Sequence, residues 1–512
     1  MGYNKAKVTR KIGPRRIYQM NYRSTRDPQA QPVTSAAAII KGLAPDGGLF
    51  VPSTFPQPSY DLAPFTTQPY QAIAQQVLTW FFPDLAALPG AVQRAYGTQW
   101  DAQQITPLSA RHGGNYYLEL FHGPTLAFKD VALQALPQLL QLAKVQTGED
   151  SETIILTATS GDTGTAALRG FQNVAGTQVI VFYPRDGISP VQKAQMLGQA
   201  GGNLHVVAVT GNFDQAQTTV KQLFSDYALA HELAARQQQF SSANSMNVGR
   251  LIPQIAYYFA AYGQLLQRQE IQSGDLVNFA VPTGNFGDIL AGYYAKKLGL
   301  PVGKLICASN ANNVLTDFFA TGTYDKRREF YVTNSPSMDI LVSSNLERLL
   351  FDVSDHDADL VAQLMNQLQT TGHYTVPAEV HQRLTTTFAA GYATPMQLQA
   401  EIKRVFDADN YLIDPHTAVG SFVARQYQQV TGDQRPCVVL ATASPYKFPE
   451  TVLDAISPAP VSSGLTAIKQ LAEFDAAPLT AGVQELFTNQ PQSQAEVAPA
   501  DMKAIVQQIL QG

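Results

Sequence analysis

Residues 153–183 read TIILTATSGDTGTAALRGFQNVAGTQVIVFY, and this stretch decides the fold. Its first seven residues (153–159) are a continuous apolar and β-branched run, the pattern of a strand buried on both faces. Ser160-Gly161-Asp162-Thr163-Gly164 then turns the chain, and the spacing predicts a helix over 162–171. Residues 178–183 supply the next apolar strand. Strand, helix and strand over about thirty residues make a βαβ unit, whose crossover is right-handed and whose strands are parallel.

The same alternation extends outward. A helix follows Ser189-Pro190, a third strand covers 204–209, and a helical pattern runs over 213–227. A long helical stretch at 248–268 leads to an apolar strand at 276–281, a helix after Asn285 and a strand at 304–308. Beyond about residue 355 the pattern is mostly helical until one more strand at 437–441. A terminal helix is expected over 499–510, with Pro499 suited to its first turn. Upstream, 131–142 reads as a helix bent at Pro137, and Pro-rich connections such as 52–64 punctuate the first hundred residues. The fold class is α/β with a parallel sheet.

Composition narrows the function. The 512 residues carry a net charge of −5, which argues against a general polyanion binder such as a nucleic-acid protein. With 25 Phe and 22 Tyr the chain has ample material for packed cores. Cys307 and Cys437 lie far apart in apolar runs, which excludes a zinc ribbon and a disulfide framework and fits a reducing compartment. No apolar run is long enough to span a membrane. The basic start (Lys5, Lys7, Arg10, Lys11, Arg15, Arg16) lacks the apolar core of a signal peptide and reads as a flexible arm.

Familiar nucleotide and zinc motifs are missing: there is no GxxxxGK[ST], no GxGxxG after a strand and no HExxH, so no metal is expected. Two other small-residue loops follow strands and open helices, at 160–164 and at Thr283-Gly284-Asn285-Phe286-Gly287-Asp288. Glycines let backbone N–H groups converge, and a helix N-terminus adds partial positive charge, so each loop suits an anion. Two such loops on one sheet suggest two anionic groups, although Asp162 and Asp288 would also serve as simple helix caps. The third piece is Phe121-His122-Gly123-Pro124-Thr125-Leu126-Ala127-Phe128-Lys129-Asp130. A lysine in apolar surroundings loses its charge easily, and the neutral amine attacks a carbonyl to form a Schiff base. An ordinary solvated lysine beside Asp130 would read the same from this segment alone.

Taken together these motifs resemble pyridoxal-phosphate enzymes of the tryptophan-synthase-β type (fold type II), and more narrowly the threonine synthase family in its longer fungal and bacterial form. The resemblance covers nearly the whole chain. It includes residues 22–26 (YRSTR), 42–52 (GLAPDGGLFVP), 244–250 (NSMNVGR), 335–339 (SPSMD) and 441–448 (ATASPYKF). It implies an N-terminal α+β region over 1–105, a cofactor-binding core with an embedded smaller subdomain over 106–445, and a helical segment over 446–512 packed on the core.

It also implies roles. Lys129 would hold pyridoxal 5'-phosphate, and Gly284, Asn285, Phe286, Gly287 and Asp288 would form the cup for its phosphate. Thr442 would face the pyridine nitrogen with a hydroxyl, which leaves that nitrogen a weaker electron sink than an Asp partner would. Ser160, Gly161, Asp162 and Thr163, in the Ser160–Gly164 loop, would hold the substrate carboxylate or share its phosphate. Asn247 and Arg250, three apart on one helical face, would meet the substrate phosphate, with Arg250 as its main cation. His122 and His416 are read as structural, and 335–339 has no assigned physical role. The implied reaction converts O-phospho-L-homoserine and water to L-threonine and phosphate in the cytoplasm, by a monomer or homodimer without nucleic-acid or membrane partners. A phospho-lyase releasing 2-oxobutyrate and an inactive phospho-amino-acid sensor stay open as alternatives.

Overall fold

The computed structural model describes residues 19–511, save Ser160, Asn212 and Ser493. The basic arm and the Ser160 expectation therefore lie outside the described residues. Two parallel sheets organise the chain. The larger has six strands in the order Phe388–Tyr392, Val302–Ser309, Val277–Pro282, Cys437–Ala441, Asn115–Glu119 and Leu108–His112. All neighbours in it are parallel except the last pair, which is antiparallel. Every residue of Val277–Pro282 and of Cys437–Ala441 is buried, as covered parallel strands demand.

The smaller sheet has five parallel strands, Ala495–Val497, Leu204–Val209, Thr177–Pro184, Glu152–Ala158 and Gln238–Ser241. The 153–183 stretch forms its centre, and the expected helix is present as Asp162–Phe171. Near the N-terminus a three-stranded antiparallel sheet joins Val33–Thr34, Asn21–Ser24 and Phe50–Pro52.

Several expectations are corrected. The last segment is not purely helical: Ala495–Val497 adds a parallel edge strand beside Leu204–Val209, and helix Met502–Gln511 packs Met502 and Val506 under the smaller sheet. The helix expected over 213–227 is two, Phe213–Phe224 and Tyr227–Ala235, because Asp226 caps the second through the Leu229 N–H. The 248–268 helix is interrupted by a 3₁₀ turn at Ile252–Gln254 holding Pro253, which has no N–H for the ladder. The 131–142 helix breaks before Pro137, into Lys129–Leu133 and Leu136–Thr147, with Pro137 in the first turn of the second. In the supposedly helical region after 355, Phe388–Tyr392 (FAAGY) is an edge strand whose Ala and Gly carry little strand signal.

Candidate active site

The carboxyl ends of the larger sheet's central strands converge on one place, where ligands collect in open parallel sheets. Strand Val277–Pro282 feeds the 283–288 turn, and strand Cys437–Ala441 ends at Thr442. The Lys129 loop is stitched to that second strand end: Phe128 N–H donates to Thr442 O at 2.8 Å and Ser444 N–H to Leu126 O at 3.0 Å. Asp130, fully buried, folds back to accept Thr125 N–H at 2.8 Å and the Thr125 hydroxyl at 2.7 Å, which closes the loop. Leu126 sits in the left-handed backbone region at φ +63° yet is buried. Such a conformation costs of order 1–3 kcal/mol and persists only where the surroundings hold it.

Lys129 opens a short helix with its side chain only 11% exposed. Its Nζ lies 4.6 Å from the Phe128 ring centre and 3.3 Å from Asp162 Oδ2. Burial lowers its pKa, Asp162 opposes that, and the Arg250 and Lys447 cations add to the lowering. The net direction is toward the neutral amine, the form a Schiff-base lysine needs.

Asp162 begins helix Asp162–Phe171 and is buried among donors. Its Oδ2 accepts from Lys129 and from the Ser337 hydroxyl at 2.7 Å, while Oδ1 accepts from Gln192 Nε2 at 2.8 Å and meets Lys447 Nζ at 3.1 Å. Burial opposes its charge, but the Lys447 and Lys129 ammonium groups hold its pKa well below the usual carboxylate range. Asp162 is therefore an anion inside the site, and its carboxylate cannot serve as a donor to another carboxylate. In the same loop Gly161 and Gly164 already give their N–H groups to Thr159 Oγ1, at 3.0 Å each. Thr163, partly exposed, keeps a hydroxyl with no hydrogen bond among the described residues, and the Asp162 and Thr163 N–H groups at the helix start have no intrahelical partner.

The second loop has different chemistry. Gly284 lies so close to the 335–339 run that an added Cβ would meet Ser337 O at 3.1 Å and Met338 Cα at 3.4 Å. Asn285 O accepts from Asn345, N–H at 3.0 Å and Nδ2 at 2.9 Å. Phe286 takes φ +63° and is anchored by packing on Phe319 and Phe388. Helix Gly287–Lys297 then begins, and the N–H groups of Gly287, Asp288 and Ile289 have no intrahelical partner. Asp288 turns away from that end: Oδ1 accepts from the Tyr257 and Tyr258 hydroxyls, and Oδ2 is buried with no partner among the described residues. Burial pushes its carboxyl up to about 7.

Arg250 is 5% exposed and donates through Nη1 to Ala243 O at 2.6 Å. Among the described residues no carboxylate pairs with it, and burial alone lowers its pKa to about 10. A buried guanidinium without a counter-ion suits an anionic ligand. Asn247 does not join it. Its Oδ1 caps Gly249 N–H at 2.9 Å and its Nδ2 donates to Ile39 O at 3.0 Å, so both ends of the amide are spent on backbone. Its helical spacing from Arg250 would suit a ligand role, but helix capping claims the side chain.

Thr442 is 5% exposed, with its hydroxyl free of hydrogen bonds among the described residues. His416 has its Nε2 against Ser337 N–H at 3.2 Å and its Nδ1 against Asp414 Oδ2 at 2.7 Å, a positioning arrangement. His122 pairs with Glu119 at 2.7 Å and stacks on Phe121. The 335–339 run now has a physical role. Asp339 gathers Asn310, Asn312 and Thr333, and this holds Ser337 at Asp162. Sequence reasoning also missed Lys447, Gln192 and Arg348. Arg348 is fully buried and binds Phe50 O at 3.0 Å and Met246 O at 2.6 Å, fixing the 245–250 segment beside Gly287. Its only sequence signal is a Glu-Arg pair inside the apolar helix Leu346–Val353.

The comparisons with known proteins agree with this geometry. Residues 21–96 match the model "Threonine synthase N terminus", 99–388 match "Pyridoxal-phosphate dependent enzyme", and 417–509 match "Threonine synthase, C-terminal". The chain is 37% identical to human threonine synthase-like 1 over 93% of its own length, but spans only 65% of that relative. It is 37% identical to the threonine synthase of Schizosaccharomyces pombe, covering 86% of this chain and 90% of that protein. The crystal structure of PLP-bound threonine synthase from Brucella melitensis matches with a TM-score of 0.84 at 36% identity, covering 96% and 98% of the two chains. The yeast threonine synthase structure also gives 0.84, at 32% identity, covering 96% and 99%. Matches along nearly the whole length establish that the chain belongs to the threonine synthase family of pyridoxal-phosphate-dependent enzymes.

Proposed function

We propose that this chain converts O-phospho-L-homoserine and water to L-threonine and inorganic phosphate. The observation that carries the reading is a pair of separate anion-suited features around one buried amine. Arg250, with no carboxylate partner among the described residues, acts on the charge of Lys129, and Lys129 acts in turn on Asp288 in the first turn of the helix that begins at Gly287. One anion is the phosphate of the cofactor and the other is the phosphate of the substrate.

The residues fit pyridoxal 5'-phosphate. Three helix N–H groups after Phe286 have no intrahelical partner, and the Thr442 hydroxyl is uncommitted among the described residues. When bound, the cofactor supplies a carbonyl for Lys129 and an electron sink for charge developing on the substrate carbons. Lys129 Nζ, neutral when released, takes the proton from the substrate Cα and returns protons later. Arg250 holds the substrate phosphate and stabilises its charge as the Cγ–O bond breaks. Thr163 binds the substrate carboxylate through its hydroxyl and N–H. The Thr442 hydroxyl would donate to the ring nitrogen without fixing a proton on it.

We read the division of the chain as an N-terminal part over 1–105, a core over 106–445 and a closing segment over 446–512. Among the described residues no helix is long and apolar enough to cross a membrane. The unpaired, buried Cys307 and Cys437 support a reducing compartment, for which we propose the cytoplasm. Incubation of the purified protein with O-phosphohomoserine tests the reaction. Threonine with equimolar phosphate is the expected product, and 2-oxobutyrate alone would make the protein a phospho-lyase instead.

A further inference from the structure

We propose that Lys447, acting through Asp162, is a positioning residue that orients the Lys129 amine and sets the charge it carries. The inference rests on the function proposed above for Lys129, and it adds a residue outside the reacting atoms. Lys447 is completely buried, an unusual state for a lysine, in the turn Pro445–Lys447 just beyond Thr442. Its Nζ donates to Thr125 O at 2.7 Å and meets Asp162 Oδ1 at 3.1 Å. The other oxygen of the same carboxylate faces Lys129 at 3.3 Å. One carboxylate thus bridges two lysines, one aimed at the chemistry and the other locked to the loop that carries it.

The bridge makes Asp162 a fixed anion rather than a titrating one. Gln192 Nε2 and the Ser337 hydroxyl complete its shell, and His416 stands behind Ser337. Arg250 faces Lys129 from helix Val248–Leu251, Asp130 lies within the field of Lys447, and Asp288 lies within that of Lys129. Within this set Lys447 opposes a proton on Lys129 and Asp162 favours one. Lys447 restrains what Asp162 alone would impose, an amine held permanently as ammonium. The carboxylate is left to orient Lys129 without trapping its proton.

Two substitutions separate the contributions. Lys447→Met keeps length and removes the charge, so Lys129 Nζ should hold its proton to higher pH. Asp162→Asn keeps shape and removes the anion, so the proton should leave at lower pH. A unit charge at this range moves a neighbour by about half to two pH units. Two readouts report it: the acid limb of kcat against pH, and the pH midpoint of the visible absorption of the bound cofactor, whose linked nitrogen is Lys129 Nζ. Both should move up in Lys447→Met and down in Asp162→Asn, with Lys447→Arg returning toward the parent. Midpoints coinciding with the parent in both variants would overturn the relay. Should Lys447→Met fail to fold, Asp162→Asn decides alone: a downward shift supports the relay and an unchanged midpoint overturns it. A parent that makes no threonine would sink the proposed function, while the spectral midpoints would still judge the relay.

Discussion

The strand-to-helix turns at 161–164 and 284–288 each carry two glycines and place an acid in the first helical turn, yet the acids meet different neighbours. Asp162 faces two ammonium groups, an amide and a hydroxyl, and stays ionised well below the usual range. Asp288 faces two tyrosine hydroxyls and apolar packing, and burial lifts it to about 7. The first turn has become a fixed negative charge that organises cations. The second holds its acid closer to neutral and leaves its helix end without a side-chain cap. The side chains arriving from elsewhere in the chain set the electrostatics of each turn.

Lys129 stands between the two turns, and its loss should have the largest effect. Lys129→Ala should lower threonine formation by at least about a thousand-fold, since it removes both the nucleophile and the mobile base. Borohydride should fix cofactor to the parent and not to the variant, as seen by mass spectrometry of the digested protein. An adduct on another lysine would detach the amine from both turns and end the comparison.

Arg250 tests which phosphate each region serves. A hydrogen bond to a charged group is worth about 1.5–3 kcal/mol, so Arg250→Ala should lose roughly ten- to a hundred-fold in kcat/KM. Cofactor affinity, measured by absorbance titration in the same preparation, should change little. Ser245, in the Arg250 segment, abuts Gly287. A selective loss of cofactor affinity would therefore assign Arg250 to the cup instead of to the substrate.

The two glycines should fail in different ways. Gly161 holds φ +132°, and a Cβ there would strike the Gln192 side chain at 2.4 Å. Gly161→Ala should therefore cost stability, about 1–3 kcal/mol by denaturant unfolding, and should disturb Asp162. Gly284 has no such backbone demand, only the close Ser337 carbonyl. Gly284→Ala should leave stability nearly intact and weaken cofactor binding by about ten-fold. Equal effects on both measurements would erase the distinction between a structural and a receptive turn.

How much of this was legible in the sequence follows the range of the forces involved. The centre of the smaller sheet and its helix Asp162–Phe171 were readable because local patterning alone specifies them. The edge strands Phe388–Tyr392 and Ala495–Val497 were not, because short segments at a sheet's rim owe their form to a neighbour. Among the candidate site residues, Lys129, the 284–288 turn and Thr442 are proposed from their motifs alone. The Asp162–Lys447 bridge joins residues 285 positions apart, and no local pattern announces it. Asn247 shows the opposite failure, since its helical spacing from Arg250 was real but the capping geometry claimed its side chain.

The pH dependence of stability discriminates the two acids most directly. Asp288 has a folded pKa of about 7, above the ordinary value of about 3.9 that it would have in the unfolded chain. Its neutral form is the one the fold prefers. Its contribution to stability is thus fully present below about pH 4 and is lost as pH rises to about 7, after which it stays constant. Asp288→Asn cannot ionise, and its amide can still accept from the tyrosine hydroxyls. In cofactor-stripped protein, the stability of Asp288→Asn relative to the parent should therefore climb between pH 5 and 7, by up to about 1.4 kcal/mol per unit, and level off above. Asp162 has the reverse sign, because its folded pKa is depressed. The parent should be favoured over Asp162→Asn above about pH 4, and that advantage should shrink on acidification. Apparent Tm measured against pH for the three proteins gives two difference curves with slopes of opposite sign. Curves of the same sign would mean that the two turns hold their acids alike, and the electrostatic contrast drawn between them would fall.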